Sequence, residues 1–75
     1  MEQKDIENIK TLIKSKIEIG DYITLSKVLG LKRETVVSRF NRNDENTVLI
    51  MKKIIKEKEV LINKVKKYAS HLYST

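Results

Sequence analysis

Apolar residues recur along most of this chain at spacings of three and four, the period of a helix with one buried face. Ile6, Ile9, Leu12, Ile13 and Ile17 share such a face over residues 2–18, with Lys and Glu between them on the other side. Gly20-Asp21 is predicted to end this helix, since Gly reaches the left-handed conformation of many helix exits. Thr24 is a good N-cap for a second, short helix running to Leu29, with Leu25, Val28 and Leu29 inward. Gly30 stops it. Leu31 then plugs the turn, and Val36, Val37 and Phe40 form the inward side of a third helix. Asn41-Arg42-Asn43-Asp44 reads as a turn, because Asn and Asp bond local backbone and tolerate unusual dihedrals.

The longest pattern follows. Val48, Met51, Ile54, Ile55, Leu61, Ile62, Val65, Tyr68, Ala69 and Leu72 keep helical spacing, with Asp44 or Asn43 as the cap. Lys58 falls on this stripe and weakens it. Two helices broken near residues 57–60 are the alternative, but no Gly or Pro forces a break, so one helix over 45–72 is predicted. The expected fold is all-α: one small domain over residues 1–75, with a first helix at 2–18, a helix-turn-helix at 24–41 and the long helix.

Composition narrows the function classes. The chain has 75 residues, a formal net charge of +6, and no Cys, Pro or Trp. Without Cys there is no disulfide framework, thiolate zinc site or thiol nucleophile. A core of this size is marginal alone, so regular helices, a partner subunit or both are expected. The first residues are charged, with no signal-peptide core after them. The longest apolar run, Val48-Leu49-Ile50-Met51, is far short of a membrane span. A soluble, cytoplasmic chain is the expectation.

The charge is localised. Residues 1–19 are neutral, residues 32–42 carry a net +3 from Lys32, Arg33, Arg39 and Arg42 against Glu34, and residues 45–75 carry +4. His71 is the only His and has no acidic or Cys neighbour, so a surface role is expected and no metal site or cofactor. No nucleophile–base set is visible, and the chain reads as a non-enzyme. Tyr22 and Phe40 read as core, and Tyr68 and Tyr73 as packing residues. Lys52, Lys53, Lys56, Lys64, Lys66 and Lys67 read as a solvated helix face rather than phosphate contacts.

The segment from Thr24 to Phe40 resembles the helix-turn-helix of the phage-repressor (Cro/repressor-like) family. The matches are Leu25, the small Ser26, Leu29, Gly30, Leu31 and Val36. A small residue lets the two helices cross closely, Gly permits the turn, and the apolar residue after it fills the gap between them. Ser stands where Ala is commoner. The next expected apolar site falls on Arg39. A turn one residue longer would place Val37 and Phe40 inward, and that register is preferred. Residues 38–62 also look like short proteins of bacterial prophages, and the resemblance spans roughly residues 20–62.

The resemblance implies that the helix from about Lys32 to Asn41 lies in the DNA major groove. Lys32, Arg33, Glu34, Thr35, Ser38 and Arg39 would then be exposed, with Arg33, Thr35, Ser38 and Arg39 facing the groove. Lys27 and Arg42 would meet phosphates. Thr24 would add a hydroxyl and backbone amide from a helix start. The expected function is sequence-specific binding of double-stranded DNA by a small bacterial or prophage transcriptional regulator, without any small-molecule ligand.

Assembly is the last expectation. Leu61, Ile62, Val65, Tyr68, Ala69 and Leu72 would be exposed in a monomer, and such a stripe usually marks an interface. A homodimer paired through these residues is expected. The alternative folds this end back onto Ile6, Ile9 and Ile13. A different functional class also fits the pattern: a helical oligomerisation or protein-interaction module with a phage structural or DNA-packaging role.

Overall fold

Four helices follow one another: α1 (Gln3–Lys14), α2 (Ile19–Leu29), α3 (Arg33–Asn41) and α4 (Glu45–Tyr73). The structure, a computed structural model, describes residues 2–73, and no strand occurs among them. The expected all-α class holds, and the long final helix is continuous. None of the helices is long and apolar enough to cross a membrane among the described residues.

The core is small and is shared by all four helices. Ile6 and Ile13 from α1, Leu25 from α2, Val36 and Phe40 from α3, and Val48, Met51 and Ile55 from α4 are buried together. Ile9, Ile17, Tyr22, Leu29, Leu31, Ile50 and Ile54 close its edges. Tyr22 meets Phe40 edge-on with ring centroids 5.9 Å apart, a favoured aromatic geometry. The Lys10 ammonium lies 4.9 Å from the Phe40 ring centre on the outer side. Its Nζ also donates to Asn43 Oδ1 at 2.7 Å, tying α1 to the α3–α4 turn.

The first helix boundary differs from the expectation. α1 ends at Lys14, not near residue 18, and Gly20-Asp21 lies inside the first turn of α2. The Asp21 carboxylate accepts the Glu18 backbone N–H at 2.8 Å. That N–H therefore caps α2 and cannot continue α1. Thr24 is not an N-cap. It sits mid-helix, its Oγ1 donating to Gly20 O at 3.1 Å, and Glu18 holds the cap position.

Three apolar positions also depart from the predicted faces. Leu12 is 73% exposed. The buried line of α1 is the narrow row Ile6, Ile9 and Ile13, which Ile17 continues in the connection after it, and Leu12 lies a further part-turn round. On α2, Val28 is 58% exposed while Leu25 is fully buried. On α3, Val36 and Phe40 point inward and Val37 is only half-buried, so the preferred longer-turn register is corrected. Tyr68 and Tyr73, expected to pack, are both exposed.

Two helix exits carry the left-handed residues that close them. Gly30 has φ 66°, and the Leu31 N–H reaches back to Ser26 O at 3.1 Å. Asn43 has φ 61°, with Asp44 N bonded to Arg39 O and Asn43 N to Phe40 O. Both hydrogen-bond patterns satisfy carbonyls that a helix end leaves open, and Asn is the side-chain-bearing residue that best tolerates this region.

Asp44 then starts α4 as expected. Its Oδ2 accepts the Thr47 hydroxyl at 2.6 Å and the Thr47 backbone N–H at 3.2 Å. The Thr47 hydroxyl bond, then its backbone bond, hold the Asp44 carboxyl below the ordinary range, with Arg39 and Arg42 adding to the effect. A depressed carboxylate stabilises the fold fully above its unfolded value, near pH 3.9, and loses that contribution as pH falls through its folded value. Asp44→Ala should therefore cost about 1 kcal/mol at pH 7. The gap in thermal midpoint from the unsubstituted protein should narrow as pH falls below 4. A gap unchanged down to pH 2 would show that the cap is not acting through its charge.

Candidate nucleic-acid interface

α2 and α3 are joined by only three residues, Gly30-Leu31-Lys32. Gly30 turns the chain, and half-buried Leu31 anchors the turn on the core. Ser26, between buried Leu25 and the turn, donates its hydroxyl to Ile23 O at 2.7 Å, so this small polar group is satisfied within its own helix. α3 is then held by Val36 and Phe40 alone among its fully buried residues. Their spacing of four places both on one side, and the opposite side is open.

That open side can be read from the helical period. Glu34, Ser38, Asn41 and Arg42 lie roughly opposite Val36 and Phe40, and all four are exposed. Half-buried Val37 flanks them on one edge, and Arg33, exposed as the first residue of α3, lies beyond it toward the Phe40 side. Together these six residues line a shallow depression along α3. Thr35 and Arg39 lie on the other edge and are half-buried. The structure thus brings Arg33, Ser38 and Arg42 onto one surface and sets Thr35 and Arg39 beside it. Glu34, Val37 and Asn41 join that surface, although the groove-facing set expected from sequence omitted them. The signal was present: anchoring the period on Val36 and Phe40 selects positions 34, 35, 38, 41 and 42.

The remaining candidates divide. Lys27 and Lys32 are exposed, one near the end of α2 and the other just before α3. Thr24 is overturned as a helix-start phosphate contact, because α2 begins five residues earlier and Thr24 bonds into its own helix. The true start of α2 is also unsuited to an anion, since the Glu18 and Asp21 carboxylates already occupy it.

Electrostatic commitments separate two groups of basic residues. Lys10, Lys16, Lys53 and Lys58 are engaged by Asn43, Glu59, Glu57 and the Asp21–Glu18 pair respectively. Among the described residues, the side chains of Lys27, Lys32, Arg33, Ser38, Asn41 and Arg42 make no intrachain hydrogen bond or ion pair within 4 Å, although the Arg42 charge reaches Asp44. Other uncommitted lysines lie on α1 and α4, and what sets α3 apart is that Arg33, Ser38, Asn41 and Arg42 share one open surface. On α4, Lys52, Lys56, Lys64, Lys66 and Lys67 are exposed, as a solvated face requires.

The distal part of α4 stands clear of the core. Leu61, Ile62, Val65, Tyr68 and Leu72 are exposed, and Ala69 is half-buried. The fold-back alternative does not occur: Ile6 and Ile13 are buried with Met51 and Ile55 on the near half of α4.

Comparison with protein-family models, curated proteins and solved structures finds no match. The functional reading therefore rests on the residues and their geometry.

Proposed function

We propose that this protein binds double-stranded DNA by placing the open face of α3 in the major groove, and that it acts as a small transcriptional regulator of bacterial or prophage type. The observation that carries this reading is the row of uncommitted donors on α3. Arg33, Ser38, Asn41 and Arg42 project from a short helix that two buried side chains clamp to the core. A rigid helix with unspent donors is what base-edge readout requires. Arg bonds guanine through two contacts and Asn does the same for adenine, while Glu34 can accept from cytosine. Lys27 and Lys32 sit beside this face and suit phosphate contact, which sets position without reading sequence. The mechanism is occupancy of a site, with no chemistry.

Selection from random duplex DNA at low salt, followed by affinity measurements across a salt series, tests this. A preferred sequence should emerge, with affinity falling steeply as salt rises. Asn41→Ala should relax preference at one base position at a cost of roughly 1–3 kcal/mol. Lys32→Gln should weaken binding to all sequences evenly and flatten the salt slope by about one unit. Failure to enrich any sequence, with α3 substitutions leaving duplex binding unchanged, would overturn the reading.

A further inference from the structure

The apolar stripe of α4 has a stricter order than helical spacing demands. Val48, Met51, Ile55, Lys58, Ile62, Val65, Ala69 and Leu72 follow one another at alternating intervals of three and four. This is an unbroken seven-residue repeat, the pattern that winds helices around each other in a left-handed sense. The chain uses the seam in three ways. Val48, Met51 and Ile55 are buried by its own α1, α2 and α3. Lys58 is taken up by its own Asp21 and Glu18. Ile62, Val65 and Leu72 are exposed, with half-buried Ala69 between them. They lie on a stretch that extends roughly 20 Å past Lys58, at 1.5 Å per residue.

We infer that the distal seam of α4 pairs with the same seam of a second copy in a parallel two-stranded coiled coil. The seven-residue register matches a helix of the same period, and charge decides between the two orientations. In the parallel arrangement like residues stack in four layers, from Ile62 to Leu72. The flanking position Leu61 then lies against Lys66 of the other copy, whose aliphatic stem covers it. An antiparallel pair confined to residues 61–73 would set Ile62 against Leu72 and Val65 against Ala69, and would bring the two Lys66 ammonium groups face to face. Sliding that pair toward the core removes the clash but drives Leu72 onto Ile55, which is only 2% exposed because its own chain covers it. Parallel pairing meets neither obstacle. Ile at the first seam position and Leu at the last also suit two strands. Lys58 sets the boundary: a cation on the seam disfavours further pairing, and its own carboxylates hold it in the folded domain. Both copies then carry their α3 faces at the same end of the pair.

This inference does not depend on DNA binding, and its test uses none. Sedimentation equilibrium of the full chain at about 0.1 mM should give the mass of two chains. Val65→Glu should give one chain while the unfolding transition of the core persists, since Val65 lies beyond every buried residue. The chain has no cysteine, so introduced ones report orientation cleanly. Under mild oxidation Ala69→Cys should crosslink to itself. A mixture of Val65→Cys and Ala69→Cys chains should yield predominantly like-with-like disulfides. A single-chain mass for the unsubstituted protein, or a mass of three or more chains, would overturn the inference. Preferential 65-to-69 crosslinks would overturn the parallel orientation.

Discussion

Phe40→Ala should remove a large share of the protein's stability, roughly 3–5 kcal/mol, the usual cost of removing a buried Phe. A domain of this length has a stability of about 4–11 kcal/mol. Phe40 is 4% exposed and contributes more than volume. Its ring receives Tyr22 edge-on and lies beneath the Lys10 ammonium, so truncation loosens α1, α2 and α3 together. α3 has nine residues, below the length at which an isolated helix persists in water. With one of its two buried anchors gone, it cannot hold the donor row of its outer face. Phe40→Leu keeps most of the buried volume and should cost far less. Urea unfolding followed by circular dichroism checks both variants. A Phe40→Ala protein within about 1 kcal/mol of the unsubstituted one would show that α3 is anchored by something other than this ring.

Lys58→Ala should also destabilise the fold, by about 2 kcal/mol. Its Nζ donates to Asp21 Oδ2 at 2.7 Å, Glu18 Oε1 at 3.3 Å and the Lys16 carbonyl at 3.3 Å. One ammonium thus fastens the α1–α2 connection to the middle of α4. Without it Asp21 is left beside Glu18 with no cation, at a side-chain exposure of 7%. Breaking a fully buried pair costs 3–5 kcal/mol, and the 25% exposure of Lys58 reduces that here. The Asp21 hydrogen bond, ahead of the other causes, raises the Lys58 pKa above its ordinary value. A raised cation stabilises the fold fully below its unfolded pKa, near 10.4, and ceases to do so as pH rises through its folded value. The deficit of Lys58→Ala should therefore be constant from pH 6 to 9 and shrink only in stronger alkali. Combining Lys58→Met with Asp21→Asn, which keeps an acceptor for the Glu18 amide, should recover much of the loss. If the double variant is no better than Lys58→Ala, the ion pair is not what carries the effect.

These two residues show where sequence reading succeeds and where it stops. Phe40 was legible as core because it shares a helical face with Val36. Lys58 was legible only as an interruption of an apolar stripe. Its partners lie 37 and 40 residues away, and no local pattern announces a pairing over that distance. The α1–α2 boundary failed for a related reason. Gly20 carries a turn signal, but the Asp21 carboxylate and the Lys58 ammonium make residues 18–21 a better helix start than a helix stop. For the α3 face, Arg33, Ser38 and Arg42 were found by residue type and Glu34 was read as exposed, whereas Asn41 needed the inward side to be known first. Until Val36 rather than Val37 was seen to point inward, the open face could be placed only to within one residue.

The one-dimensional pattern determined that the chain is helical, where Gly30 and Asp44 end and begin helices, that the last helix is long, and that positive charge gathers after residue 31. Each follows from local physics: period, backbone dihedral, capping and composition act within a few residues. Tertiary structure decided which apolar residues are covered, which cations are already committed, and which donors remain free on α3. Those outcomes depend on how four helices share one small core. Burial and ion pairing are properties of neighbours in space, and a face is open only once the rest of the chain has chosen the other side.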